Sequence, residues 1–160
     1  MKASREEMLE VVRREAKVRP GLRELAKCCR RKGYRLVIVS NGLRFYIEDI
    51  LHRLGITDVG VFASETVFNP QGLKVEYIGP DGAALDDNFK LAYTRRFLAE
   101  GYRVIYIGDG SSDISPACRS HRIFATESPT DSLLKHCRAG KIACTPFTDF
   151  HQIARCNESL

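Results

Sequence analysis

The fold class is decided by one stretch of sequence, Val104-Ile-Tyr-Ile-Gly-Asp-Gly-Ser-Ser-Asp113, in which a short apolar run ends in an acidic turn. A continuous apolar run of this length is typical of a strand that is buried on both faces of a parallel sheet. A second such run, Leu36–Val39, leads into Ser40-Asn-Gly42. Helical periodicity precedes and follows both runs, and strands that alternate with helices predict an α/β fold with a mostly parallel sheet.

The other elements are predicted from capping residues, apolar periodicity and turn residues. Helices are expected over residues 4–17, 20–32, 45–54, 86–99, 131–137 and 149–154, further strands over 59–62 and 123–125, and a hairpin across 66–78 that turns at 69–72. The 160 residues suffice for one ordinary domain.

The composition, 44% hydrophobic and 28% charged, is that of a folded soluble protein. The longest uncharged apolar runs are far shorter than the ~20 residues that a bilayer requires, so we expect a cytoplasmic protein without a membrane partner. The net charge of the chain is +5, and the excess of basic residues lies near its N-terminus, where residues 1–35 hold 12 Lys and Arg against 5 Asp and Glu. These cations are spread through two helix-like stretches without interleaved aromatic residues, which favours a solvated face over a nucleic-acid site.

Polar residues follow both apolar runs, at the strand ends where open parallel sheets bind ligands. Asp109 and Asp113 lie on a glycine-containing turn, and such a pair suits Mg²⁺, which takes one or two carboxylates and completes its shell with water and phosphate. The turn does not match a dinucleotide-binding fingerprint, because Asp113 replaces the third glycine and two acids would repel a pyrophosphate. The alternative role of the two aspartates is structural, as helix caps.

A candidate phosphate site is formed by Ser40, Asn41 and Gly42, which open the next helix. A hydroxyl and N–H groups at a helix N-terminus can hold a phosphate oxygen, although serine is also a common helix cap. Lys90 lies near the start of a predicted helix, where a cation gains nothing from the helix dipole. Pointed toward the strand ends, it could neutralise a phosphoryl oxygen; the alternative is an exposed helix lysine.

The order of Ser40, Lys90 and Gly108-Asp-Gly-Ser-Ser-Asp113 resembles the motifs of the haloacid dehalogenase superfamily of phosphohydrolases. The segment Arg19-Pro-Gly21 looks like the corresponding sequences in the phosphoserine-phosphatase-like branch of that superfamily. The tail Pro146-Phe-Thr-Asp-Phe150 is similar to methionine-salvage phosphatases and to phosphoethanolamine/phosphocholine phosphatases.

The resemblance implies a Rossmann-like core over residues 19–160, preceded by the remnant of a helical cap over residues 1–18. It also implies Mg²⁺-dependent hydrolysis of a small phosphorylated metabolite through an aspartyl-phosphate. In that reading Ser40, with Asn41 and Gly42 beside it, binds the phosphoryl group, Lys90 stabilises its charge, and Asp109 and Asp113 hold the metal.

The family's first motif, Asp-x-Asp-x-Thr/Val at the end of an N-terminal strand, does not occur in this sequence. In the family that strand is central, between the strands that end at Ser40 and Asp109, so its loss implies a gap with unpaired N–H and C=O groups on both sides. Three explanations are open. The chain is a shortened enzyme that is inactive or weakly active alone; or it pairs with a separate chain that supplies the strand; or it is a non-catalytic protein with a Mg²⁺ and phosphate site that dimerises through open edges.

Overall fold

The computed structural model describes residues 4–126 and 132–156, and its elements follow the predicted alternation of helices and strands. The helices of these residues are Arg5–Glu15 (α1), Leu22–Arg31 (α2), Arg44–Arg53 (α3), Phe89–Ala99 (α4), Ile114–Ala117 (α5), Leu133–Ala139 (α6) and Phe150–Cys156 (α7). The strands are Val37–Leu43 (β1), Gly60–Asn69 (β2), Gly72–Glu76 (β3), Ile105–Gly108 (β4), Arg122–Ala125 (β5) and Thr145–Pro146 (β6). The predicted α/β class is confirmed.

The strands form two separate three-stranded sheets. In the first, β1 is parallel to β2, and β2 turns back into antiparallel β3 across the predicted turn at Asn69–Gly72. In the second, β4, β5 and β6 are parallel. Since β1 and β4 are edge strands that do not pair with each other within the described residues, the sheet is divided where the resemblance implies a gap.

Helix α2 packs on both sheets and joins them. Leu25 belongs to an apolar cluster with Phe124 of β5 and Ile153 of α7. Ala26, one residue further along the same helix, packs with Val61 of β2. The two half-sheets are therefore connected through helix packing.

Helix α1 begins as predicted, at a capping box in which Ser4 and Glu7 exchange hydrogen bonds. Arg13 anchors it to α3 by donating to both carboxylate oxygens of Asp49, at 3.1 and 2.7 Å. The assignment of residues 1–18 to a cap stays a prediction.

The structure differs from the predicted elements at several points, and residue 131, where the helix over 131–137 was predicted to begin, lies outside the described residues. α4 begins at Phe89 instead of residue 86, because Asn88 adopts a left-handed conformation (φ 54°) that a helix cannot include. The two-residue β6 and the single turn of α5 were not predicted, because such short elements show no apolar periodicity. None of the helices among the described residues has the length and apolar character that a membrane crossing requires.

Candidate active site

The carboxyl end of β1 and the turn after β4 meet at one pocket of about 350 Å³. It is lined by Asn41 from β1, Lys90 from α4, and Ser111 and Ser112 from the turn. Tyr77 closes one side and donates its hydroxyl to the carbonyl of Asn41 at 2.8 Å. The fold thus brings together the three sequence segments that were predicted to form the site. Of the predicted residues, Asn41 and Lys90 line the pocket, whereas Ser40, Gly42, Asp109 and Asp113 do not.

Asp113 is the buried centre of the acidic turn, with only 5% of its side chain exposed. Its Oδ2 accepts hydrogen bonds from the N–H groups of Asp109 and Gly110, at 3.0 and 3.1 Å. Its Oδ1 accepts from Lys90 Nζ at 2.6 Å and from the hydroxyl of Tyr106 at 2.7 Å. With both oxygens engaged, Asp113 closes the turn and fixes the lysine.

The charges at this centre are set by burial and by close contacts. Burial alone would raise the pKa of Asp113, but the hydrogen bond and charge of Lys90, helped by Tyr106 and the turn N–H groups, outweigh it and hold that pKa below its ordinary value. Burial, together with the adjacent charge of Asp113, raises the pKa of Tyr106 far above its ordinary range. Tyr106 therefore stays a neutral donor while Asp113 stays ionised.

Lys90 lies in the first turn of α4, where the helix has just left the left-handed residue Asn88. Its side chain is 15% exposed, and Nζ donates to Ser112 Oγ at 3.0 Å as well as to Asp113. Among the residues that the structure describes, these acceptors use two of the three N–H bonds of an ammonium group. The third is available to an anion in the pocket.

The glycine at the end of β4 is required by close approach. A Cβ atom on Gly108 would lie 2.7 Å from Cγ of Asp113, which is closer than non-bonded carbon atoms can come. Any larger residue would push the carboxylate away from its donors. This contact explains why the acidic turn begins with glycine.

Strand β1 continues through the predicted phosphate site to Leu43 and α3 begins only at Arg44, so the prediction that Ser40, Asn41 and Gly42 open the next helix is wrong. The Oγ of Ser40 accepts from the N–H of Gly42 at 3.0 Å, and Ser64 on the neighbouring strand donates to the carbonyl of Gly42 at 2.9 Å. These bonds lie where the pairing of β1 with β2 becomes irregular, between Val39 and Leu43. Asn41 lines the pocket, while half-buried Ser40 precedes it in the strand and, among the described residues, donates its hydroxyl proton to no acceptor.

Asp109 is the exposed carboxylate of the turn. Its carbonyl accepts from the N–H of Leu133 at 2.9 Å, which fixes its backbone. Within residues 4–126 and 132–156, its carboxylate takes part in no ion pair or hydrogen bond, and no group of three or more His, Cys, Asp or Glu could hold a metal. Of the two aspartates of the turn, Asp109 is therefore the one whose carboxylate is free to bind a cation such as Mg²⁺, which takes one or two carboxylates and fills its shell with water and phosphate.

Tyr106 is a site residue that the sequence-based reading did not single out. It lies in the apolar run before the turn, where an aromatic side chain is expected to serve the core. Because residues two apart share one face of a strand, Tyr106 and Gly108 face the same way, toward Asp113. A hydroxyl within an otherwise aliphatic run, two residues before the glycine of an acidic turn, is the signal that could have identified it.

Sequence comparison places this arrangement in a known group of proteins. A sequence profile described as haloacid dehalogenase-like hydrolase matches residues 1–117. The chain belongs to the haloacid dehalogenase-like hydrolase family. The chain is similar to a 2-hydroxy-3-keto-5-methylthiopentenyl-1-phosphate phosphatase of Exiguobacterium sibiricum, to which it is 26% identical over 152 residues, 93% of this chain and 67% of that protein. Pdp3-interacting factor 1 of Schizosaccharomyces pombe is 24% identical over 156 residues, 94% of this chain and 67% of that protein.

Solved structures share the family fold. A substrate-bound phosphoserine phosphatase complex superposes with a TM-score of 0.64 at 22% identity, covering 94% of this chain and 68% of that one. Cytosolic 5′-nucleotidase IIIB bound to cytidine superposes with a TM-score of 0.61 at 13% identity, covering 97% of this chain and 56% of that one. These likenesses confirm the Rossmann-like fold of the family.

Proposed function

We propose that this chain is a Mg²⁺-dependent hydrolase of small phosphate monoesters, acting on a small phosphorylated metabolite in the cytoplasm. The observation that carries the proposal is the lysine of the pocket. Lys90 is held by Asp113 and Ser112 at the strand ends with one N–H bond directed to no protein acceptor among the described residues. A fixed ammonium group in a small polar pocket suits a phosphoryl oxygen, and the relatives that are named as phosphatases support this chemistry.

The remaining residues have separate roles in this proposal. Lys90 stabilises the charge of the transferring phosphoryl group, and Asp113 positions Lys90. Ser40 donates its hydroxyl to a phosphoryl oxygen with the N–H of Asn41 beside it, while the N–H of Gly42 holds Ser40 Oγ in place. Asp109 would hold the Mg²⁺, which when bound would neutralise the phosphoryl oxygens and orient them.

We further infer that the chain alone binds phosphate better than it turns it over. The sequence contains no Asp-x-Asp motif, and in the part of the chain that the structure describes the carboxylates that line the pocket are Asp86 and Asp87, both exposed in the loop before α4. Exposed loop carboxylates are poorly positioned as nucleophiles, because nucleophilic catalysis depends on a fixed near-attack geometry. We expect slow turnover with the anion site intact.

The test combines turnover with binding. Hydrolysis of p-nitrophenyl phosphate is measured with and without Mg²⁺, and binding of inorganic phosphate is measured by calorimetry. Lys90→Met should lower kcat/KM about 100-fold, since losing one fixed charged donor costs that much in comparable sites, and should weaken phosphate binding at least about tenfold. Asp109→Asn should raise the Mg²⁺ concentration that half-maximal turnover requires.

The matched control is Lys74→Met, which removes a lysine whose side chain is 64% exposed on β3. Equal effects of the Lys90 and Lys74 variants on phosphate binding would contradict the assigned anion site. Phosphate binding without any Mg²⁺-dependent turnover would overturn hydrolysis and favour a regulatory binding protein.

A further inference from the structure

Two cysteines, Cys137 and Cys144, lie next to each other between α6 and the second half-sheet. Cys137 is fully buried on α6, and Cys144 is half-buried just before β6. Both pack in the apolar cluster that α6 forms with β5, and they are called here the thiol pair. The phosphate chemistry proposed above uses neither residue.

The periodicity of α6 turns Cys137 toward the sheet. The buried residues of this helix are Leu133, Leu134 and Cys137, and residues three and four apart share one face of a helix. That face packs against Ile123 and Ala125 of β5. The sulfur of Cys137 therefore lies between the helix and the sheet.

The strand register places Cys144 on the same face of the sheet. Phe124 of β5 pairs with Thr145 of parallel β6. One residue earlier, Cys144 therefore comes into register with Ile123. Residues in register on neighbouring strands point to the same side of a sheet, and Cys144 packs against the cluster that contains Ile123. The thiol pair thus meets with one sulfur coming from the helix and the other from the sheet.

The chain between the two cysteines is a tight turn. α6 ends at Ala139, and Lys141 adopts a left-handed conformation (φ 54°). The N–H of Ile142 then donates to the carbonyl of Cys137 at 2.8 Å. This hydrogen bond returns the chain to the end of the helix two residues before Cys144, so the backbone holds the thiol pair together.

The surroundings give the two thiols different reactivity. Burial, with the adjacent thiol of Cys144 adding to it, raises the pKa of Cys137 to about 11. Cys137 therefore stays protonated near neutral pH, and a buried thiol of this kind reacts poorly with oxidants from solvent. Cys144 is partly accessible, so a small oxidant reaches its sulfur first and leaves Cys137 beside it as the second thiol.

We propose that Cys137 and Cys144 form a reversible disulfide when the protein meets a hydroperoxide. Hydrogen peroxide transfers one oxygen atom to the sulfur of Cys144, which gives a sulfenic acid and water. The sulfur of Cys137 then attacks the oxidised sulfur: the S–S bond forms, the S–O bond breaks, and the thiol proton leaves with the hydroxyl group as a second water. A dithiol reductant restores both thiols by exchange and is itself oxidised to a disulfide.

The disulfide would act on the helix that supports the acidic turn. At the start of α6 the N–H of Leu133 donates to the carbonyl of Asp109 at 2.9 Å. Cys137 lies one turn further along the same helix. A covalent bond from Cys137 to the residue before β6 ties the far end of α6 to the sheet, and it should slow the local opening of this helix.

Mass spectrometry of a tryptic digest tests the proposal on the whole chain. Trypsin cleaves after Lys135, Arg138 and Lys141, so the two cysteines fall in separate peptides, residues 136–138 and 142–155. The folded protein is treated with hydrogen peroxide, and the remaining thiols are alkylated in denaturant before digestion. We expect the two peptides to be linked to each other after peroxide and to separate after dithiothreitol.

Two single substitutions serve as a matched pair. Cys144→Ser removes the half-buried thiol and should abolish the linked peptides. Cys118→Ser removes an exposed thiol at the end of α5 and should leave them unchanged. In the wild type, hydrogen exchange at the amides of residues 133–139 should be slower after peroxide than before, whereas in Cys144→Ser it should stay the same.

Four outcomes would overturn the proposal. The first is oxidation of Cys118 without linkage of the two peptides. The second is linkage of Cys137 to Cys118 to the same extent as to Cys144. The third is linkage that forms as readily in urea-unfolded protein as in folded protein, since the fold would then not select the pair. The fourth is unchanged exchange of α6 in the linked protein. These readouts need no turnover, so a failure here is distinct from a failure of the proposed phosphatase activity.

Discussion

Replacing Asp113 with asparagine should destabilise the protein more than any substitution of a surface charge. The carboxylate receives four hydrogen bonds, two on each oxygen. The asparagine amide has one oxygen and one NH₂ group. Its NH₂ group would face either the two turn N–H groups or the Lys90 and Tyr106 donors, and these donors would lose their acceptor. Removal of one partner from a buried ion pair costs about 3–5 kcal/mol, and the exposures of 15% and 5% for the Lys90 and Asp113 side chains place this pair in that class.

The pH dependence gives the same prediction a second readout. Because the native pKa of Asp113 is depressed, the ionised form contributes stability that is full above about pH 5 and is lost as the pH falls through the native pKa. The difference in unfolding free energy between the wild type and Asp113→Asn should therefore be largest near pH 7 and shrink in acid. Urea denaturation followed by far-ultraviolet circular dichroism measures it, since the chain has no tryptophan.

The control is Glu100→Gln, which breaks the exposed ion pair with Arg96 and should cost about 0.5 kcal/mol or less. The double variant with Lys90→Met should cost less than the sum of the single variants, because each removes the partner that the other leaves unpaired. The reasoning is refuted if Asp113→Asn costs no more than Glu100→Gln, or if its effect is the same at pH 7 and pH 3.

Two further substitutions test the surroundings of this centre by the same urea assay. Tyr106→Phe should lower the free energy of unfolding by about 1.5–3 kcal/mol, because it removes a hydrogen bond to the charged Asp113. The control Tyr93→Phe removes a hydrogen bond to a main-chain carbonyl and should lower it by about 1 kcal/mol. Equal losses for the two variants would contradict the role of Asp113 as a charged acceptor. Gly108→Ala should lower the free energy of unfolding by at least about 2 kcal/mol, as overpacked positions do. The control is Gly60→Ala, whose Cβ would lie 3.3 Å from the Val37 side chain and so needs a smaller shift. An effect of Gly108→Ala as small as that of Gly60→Ala would show that the acidic turn can shift freely.

The main strands and the acidic turn after β4 could be predicted from the sequence because both depend on local patterns, whereas the continuation of β1 through Ser40 could not. The runs before Ser40 and Asp109 are short and apolar, and in a parallel sheet their polar successors converge at one edge. Lys90 could be singled out because a helix start is an unfavourable place for a cation, and in the structure its ammonium group donates to Asp113 of the acidic turn. The metal and phosphate roles of these residues stay predictions.

The parts that could not be predicted depend on contacts between distant segments. The role of Tyr106 rests on a hydroxyl that reaches a carboxylate around a turn, and apolar patterning does not distinguish such a tyrosine from a core residue. The start of α4 depends on the left-handed conformation of Asn88, which short-range propensity permits but does not require.

The division of the sheet also bears on how the molecule unfolds. Each half-sheet is built from one contiguous part of the chain, residues 37–76 and 105–146. In the described residues, no main-chain hydrogen bonds between strands connect the two half-sheets. Cooperativity between the halves then depends on side-chain packing, above all that of Leu25 and Ala26 of α2. Native-state hydrogen exchange should resolve two subglobular units with different opening free energies, and Leu25→Ala should widen the separation between them.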